Sequence, residues 1–250
     1  LLFCLSNQIS AQTEIEGDIE VNTTLTTAES PYVLTGHLFV REDATLTIKE
    51  NVVLDFNNHR MYVGKSSNGF LSAVGATLKT NSSSEDEIIV RDGGEIDIQN
   101  CSLNGVHIEI NDDAGKDLQI SSNEFTNVDI PIIFNPVTQP VIENNTSTIE
   151  LLGIEGDIEQ DLTLPKYDWD YYLTGTLSME KNATLTIENN ISLDLARYNL
   201  RIGGRSPGVL NASNATFKSS RFEEDIALNK NAGANITACN FEKVGVKIYD

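Results

Sequence analysis

Residues Tyr32–Phe56 read YVLTGHLFVREDATLTIKENVVLDF, and the same block returns without a gap as Tyr171–Leu195, YYLTGTLSMEKNATLTIENNISLDL. Both carry a Tyr, a Leu-Thr-Gly turn, Ala-Thr-Leu-Thr-Ile, and Leu-Asp before an apolar residue. Within Ala44–Ile48, Leu46 and Ile48 alternate with Thr45 and Thr47. Alternation of this kind, with β-branched residues between, predicts a strand with one buried face. The likeness extends outward in both directions. Ile15–Thr80 and Ile154–Ser219 share 29 of 66 positions, opening on the same IEGDIE, and after a one-residue deletion Ile96–Ile110 matches Ala234–Ile248. The chain therefore divides into a first unit over 15–153 and a second over 154–250, continuous with it. The second copy stops short of a full unit, which predicts a natural protein longer than this chain.

A shorter period runs inside the unit. Ile98, Ile120, Ile142 and Leu164 are 22 residues apart, as are Ile88, Ile110, Ile132 and Ile154, and the pair Leu103 and Phe125. Several apolar positions repeating at one spacing indicate coils stacked in register, the pattern of a solenoid. Leucine-rich repeats fall in the same length range, but their L-x-x-L-x-L-x-x-N pattern is absent and no coil shows a helical period. Each coil instead carries short alternating pieces separated by Gly, Asn, Asp or Ser. The expectation is an all-β fold, a parallel β-helix with about 22–23 residues per coil and about six coils per unit, at roughly 4.8 Å per coil.

These stretches carry a resemblance. TGHLFVREDATLTIKENVVLDF, with IQNCSLNGV, ISSNEFTNV and ITACNFEKV, resembles secreted bacterial right-handed parallel β-helix proteins of the pectin-lyase-like superfamily. Asp43 and Asn182 stand where that pattern usually has Gly, and Glu50-Asn51 replaces its Pro-Gly. The resemblance implies a right-handed coil and export. It says little about activity, because one fold hosts many functions.

Composition narrows the partners. With 17 Lys and Arg against 37 Asp and Glu, the net charge is −20. Nucleic acid and anionic membrane both require concentrated positive charge, so neither is expected as a partner. Residues 1–11, LLFCLSNQISA, read as the remnant of a secretory signal peptide, and no later apolar run is long enough for a membrane helix. The localisation expected is secreted or outer cell surface, as a monomer. Cys4 belongs to the remnant, and Cys101 and Cys239 occupy matching places in the two copies. Six coils separate those two by roughly 30 Å, too far for a disulfide, whose Cα atoms lie within about 7 Å.

Chemistry is sparse at this level. His37, His59 and His107 align with Thr176, Tyr198 and Gly245, so the histidines are confined to the first copy. One coil on from Asp97 is Gln119, and one coil on from Glu109 is Pro131, so neither acid meets another there. Two acidic groups are candidate calcium ligands: Asn111, Asp113 and Asp117 around Gly115, and Glu85 and Asp86 with Glu224 and Asp225 of the matching acidic run. Hard cations take such oxygens. Tyr167 and Trp169, in KYDWDYY, are candidate glycan-stacking residues, with an extracellular polysaccharide or cell-surface glycan as the partner. The functional expectation is a structural or adhesive module, non-catalytic in this span. The alternatives are a polysaccharide lyase or glycoside hydrolase with its site on further coils, or a carbohydrate-binding module. Outward-facing paired acids on neighbouring coils would favour the enzyme.

Overall fold

The structure, a computed structural model, describes residues 12–80, 86–221 and 223–249. The strand Ala44–Ile48 forms as its alternation dictates, with Ala44, Leu46 and Ile48 buried and Thr45 and Thr47 half-buried on the outer face. Its parallel neighbours are Thr23–Leu25 on one side and Gly69–Val74 on the other, and Leu46 stacks on Leu71. Repetition of such pairings builds an all-β, parallel β-solenoid of about ten turns. One short 3₁₀ helix, Pro136–Thr138, interrupts the described strands. The signal-peptide reading over 1–11, and Glu85, lie outside the described residues.

Corners between faces need residues that tolerate a left-handed backbone. Asp43 and Asn182, at φ 57° and 68°, and Asn51 and Asn190, both at 62°, occupy such corners in equivalent places of the two units. Asn and Asp adopt this region more readily than other non-glycine residues, which is how they substitute for Gly here. Asn123 adds an internal brace. Its buried amide donates to the Ile98 carbonyl at 2.8 Å, and its Oδ1 accepts from the Cys101 N–H at 2.9 Å. Asn145 repeats the arrangement one coil on, donating to the Ile120 carbonyl and accepting from the Asn123 N–H.

The Leu-Thr-Gly piece does not close a turn. Tyr32–Val40 is one continuous strand covering two faces of the coil. Its beginning pairs with Val53–Asp55 and its end with Met61–Val63, so one strand hands over to two. Asp170–Met179 repeats this with Ser192–Asp194 and Leu200–Ile202.

The sequence period holds on one pair of ladders and fails on another. Ile98 stacks on Ile120 and Ile120 on Ile142, and Leu103 stacks on Phe125, all at the expected spacing. The ladder through Ile88 is uneven. Its step to Ile108 is short, the next to Ile132 is long, and the step to Leu152 is short again. Corners of unequal length preserve the mean period there, yet they make Ile108 rather than Ile110 the partner of Ile88. Ile142 lies in one sheet, whereas Leu164 follows directly on Leu162–Thr163, a strand of another.

That last failure marks the joint between the units. The face built on Thr23–Leu25 ends at Val141–Glu143, and a separate sheet begins at Leu162–Thr163. Ile132–Phe134, on the face of the first unit that carries Met61–Val63, pairs with Leu152–Ile154, which pairs with Tyr171–Leu173. Tyr171 is the counterpart of Tyr32, which lies on the neighbouring face, that of Val53–Asp55. The second unit therefore follows the first shifted by one face around the axis. The core left uncovered by this shift is plugged by aromatic rings. Trp169 is 6% exposed and meets Phe125 edge-on at 6.2 Å, while Tyr167 meets Phe134 at 6.1 Å. The Tyr167 hydroxyl donates to the Pro140 carbonyl, and that of Tyr171 to the Pro165 carbonyl.

Two measurements check this architecture. Trp169→Ala leaves a void at the joint and is expected to lower the unfolding free energy by about 3–5 kcal/mol in urea titration. Cys101 is buried, its thiol pKa pushed up by desolvation, whereas Cys239 is half-buried and neither is bridged. In the folded chain iodoacetamide is expected to label Cys239 and to reach Cys101 only on unfolding, read by peptide mass mapping. A Cys101–Cys239 disulfide would contradict a single continuous stack.

Candidate functional site

The second face of the first unit is formed by the end of Tyr32–Val40, then Met61–Val63, Asp86–Val90 and Val106–Ile110. Leu38, Met61, Ile88 and Ile108 point inward and are fully buried. The pleat therefore turns the residues between them outward. Phe39 and Tyr62 are direct neighbours across the coils, with ring centroids 5.1 Å apart and planes 10° from parallel. Lys65 Nζ sits 4.5 Å and 4.3 Å from the two centroids, a cation–π contact with both. His37 packs edge-on against Tyr62 at 5.9 Å and His59 at 5.7 Å. The backbone N–H of Arg60 donates to His37 Nδ1 at 3.0 Å, so a neutral His37 carries its proton on Nε2.

A charged cluster continues from this platform. Arg60 Nε lies 2.7 Å from Glu87 Oε2, and a terminal nitrogen of Arg60 donates to Oε1 at 3.2 Å. His107 is the direct cross-coil partner of Glu87, with Nε2 3.9 Å from Oε1. Glu109 follows on the same outward side of the His107 strand. One ligating atom from each of Glu87, His107 and Glu109 lies within 4.8 Å of the others, the one such His, Cys, Asp or Glu group among the described residues. Burial raises the Glu109 carboxyl pKa, and the charges of Glu87 and Glu155 add to the rise against Arg60 and Arg91. Glu109 also lines an open hollow of about 260 Å³ shared with Glu155 and Asp157. Two carboxylates and an imidazole at this spacing can exchange a proton or hold a cation.

The second unit supplies an internal comparison on the same scaffold. Phe39, Tyr62, Lys65 and Arg60 align with Ser178, Arg201, Gly204 and Asn199. Glu87, His107 and Glu109 align with Asp225, Gly245 and Lys247, and there Lys247 Nζ closes on Asp225 at 2.5 Å. The strand pairings are equivalent, Glu224–Leu228 with Val244–Ile248 as Asp86–Val90 with Val106–Ile110. The fold is thus satisfied by a neutral ion pair where the first unit gathers two carboxylates and a histidine.

The residues singled out from sequence fall elsewhere. Trp169 is a joint residue, so it offers no ring face to a sugar. Tyr167 is half-buried by its own hydroxyl bond, and its edge borders a groove of about 560 Å³ between Val141–Glu143 and Pro165–Asp168. Among the calcium candidates, Asp86 is buried and accepts from the Asn58 N–H at 3.0 Å, bracing a corner. Asp225 is held by Lys247. Asn111, Asp113 and Asp117 lie on one turn, with Asp113 and Asp117 exposed and their carbonyls bonded to the Gly93 and Ile96 N–H groups. None of these carboxylates belongs to the Glu87–His107–Glu109 trio.

One signal for that trio was present in the spacing. Counting 22 residues forward from Glu109 reaches Pro131 and counting back reaches Glu87; the register sets Ile133 and Ile89 directly opposite Glu109, with Glu87 two residues along from Ile89 on the same outward side. His107 was hidden, because it reaches Glu87 through the local short step. Phe39 and Tyr62, by contrast, stand 23 residues apart, within the expected coil length, so their pairing was legible in the spacing.

Comparison of the chain with family models, with curated proteins and with solved structures finds no match in any of the three.

The raised proton affinity of Glu109 makes a sign-specific prediction. The unfolded chain releases this proton first as pH rises, so native stability falls from the ordinary carboxylate pKa, about 4.3, up to the raised native value. Glu109→Gln removes that cost. Denaturation in chelator-treated buffer is expected to show the variant more stable than the parent at pH 7, with the advantage gone below about pH 4.

Proposed function

We propose that this solenoid is a secreted or cell-surface structural and adhesive module, and that the outer face of its first unit contacts an extracellular glycan. The observation that carries the reading is the difference between two units of one scaffold. The first keeps an aromatic platform of Phe39 and Tyr62, flanked by Lys65 and Arg60, and the second has Ser178, Arg201, Gly204 and Asn199 in those places. Aromatic rings stack on sugar faces, and the Lys65 ammonium gives anionic sugars the advantage over neutral ones. The resemblance to secreted bacterial β-helix proteins of the pectin-lyase-like superfamily supports export. The stack itself supports a spacer role, since adding coils lengthens the rod without altering the face already built.

A second reading has its own observation. Glu87 and Glu109 are paired acids facing outward on neighbouring coils, and Glu109 holds its proton more tightly than an ordinary carboxyl. Retaining glycosidases place two carboxyls about 5–5.5 Å apart, one of them with a raised pKa. This favours a polysaccharide-cleaving enzyme.

One experiment addresses both. The chain is applied to an array of acidic and neutral polysaccharides, alongside a Phe39→Ser/Tyr62→Arg variant carrying the second unit's own residues. Binding to acidic polysaccharide, weakened about tenfold or more in the variant through the loss of roughly 1–2 kcal/mol of ring contacts, is the expected result. Equal binding by parent and variant would remove the platform from the reading, and shortened glycan chains recovered after incubation would favour the enzyme.

A further inference from the structure

We propose that Glu87, His107 and Glu109 form a binding site for a borderline divalent cation of the zinc type, independent of the aromatic platform. The donor set is one imidazole nitrogen and two carboxylate oxygens, which suits such ions better than calcium, whose ligands are oxygens alone. All three side chains leave one face of two adjacent strands. His107 and Glu109 are alternate residues of Val106–Ile110, and Glu87 is the cross-coil partner of His107.

The geometry is close to what coordination needs. The three ligating atoms already lie within 4.8 Å of one another, with His107 Nε2 at 3.9 Å from Glu87 Oε1. Ligand atoms at bond lengths of about 2.0–2.2 Å in a tetrahedral site stand roughly 3.3–3.6 Å apart, so side-chain movements of about 1 Å close the set. The strands need not move. Arg60 holds Glu87 through Nε–Oε2 at 2.7 Å and so orients Oε1 toward the imidazole. Its second contact, to Oε1 at 3.2 Å, is the one a metal would displace, and with its side chain 49% exposed Arg60 has solvent to move into. A partner of this kind, gripping the non-ligating oxygen, fixes ligand orientation in metal sites. The hollow beside Glu109 leaves an open coordination position, and Glu155 and Asp157 on its rim add negative potential.

The second unit shows what the same place looks like without such a site. Gly245 replaces the imidazole, and Lys247 supplies the positive charge beside Asp225. A lysine ammonium and a divalent cation solve the same electrostatic problem, the neutralisation of carboxylates on a half-buried face. The first unit gathers two carboxylates there, and the pairing of Arg60 with Glu87 offsets one charge of the two.

The test uses the full chain after chelator treatment and dialysis. Isothermal titration with zinc, and separately with calcium and magnesium, is compared between the parent, a His107→Gly/Glu109→Lys variant carrying the second unit's residues, and Glu109→Gln. The expected result is one zinc bound per chain, at least a hundredfold tighter than calcium or magnesium, and weakened at least a hundredfold in the double variant and about tenfold or more in Glu109→Gln. Cobalt(II) titrated into the parent is expected to give visible absorption of a low-coordinate site, an observation that does not depend on any variant folding. Zinc binding of equal strength in parent and folded variants would overturn the proposal, as would no saturable zinc binding or calcium bound as tightly as zinc. Loss of glycan binding in the Phe39→Ser/Tyr62→Arg variant with zinc binding retained would show the two sites to be separate.

Discussion

The interaction on which everything else depends is the parallel backbone ladder between successive coils. A parallel strand can satisfy its N–H and C=O groups only through neighbours one coil before and one coil after. Each coil is therefore stable only when stacked, and every apolar side chain that faces inward must find a counterpart at the same height. The Leu46–Leu71 contact, and the ladder from Ile98 through Ile120 to Ile142, are the consequence. Because the ladder runs along backbone, it places no demand on outward side chains. Those are available for other uses.

The ladder also tolerates irregularity at the corners. Short and long steps alternate around Ile108, and the units join with a shift of one face. Only one column of strands needs to pass unbroken through such a shift. Ile132–Phe134, Leu152–Ile154 and Tyr171–Leu173 do so, while the two other faces end and restart. The exposed core is closed by Phe125, Phe134, Tyr167, Trp169 and Tyr171. The only Trp of the chain is thus explained by the joint, and Ser30 stands in its place in the first unit.

Duplication gives the molecule a comparison within itself. Positions where both units agree, such as Ala-Thr-Leu-Thr-Ile and the corner Asn and Asp residues, serve the coil. Positions where they diverge on one outer face have been released from that duty. Phe39, Tyr62, Lys65, Arg60, Glu87, His107 and Glu109 form a divergent group, which makes the outer face of the first unit chemically distinct from that of the second. The half-burial of Glu109 beside Glu87 costs the fold stability, as its raised proton affinity records. The second unit avoids that cost with Lys247.

Much of this was determined by sequence alone. Strict alternation in Ala44–Ile48, its recurrence in Ala183–Ile187 and a regular apolar spacing between coils leave a stacked parallel coil as the arrangement that buries those side chains together. The unequal corners were not legible, because a mean period conceals short and long steps, and a small slip in register changes which outward side chains touch. For that reason the nearness of Glu87 to Glu109 and of Phe39 to Tyr62 could be found by counting, whereas His107 directly opposite Glu87 required the register itself. The burial of Trp169 was likewise a tertiary outcome. Its sequence neighbours Lys166, Asp168 and Asp170 mark an exposed loop, and only the shift between units creates the core gap that its ring fills.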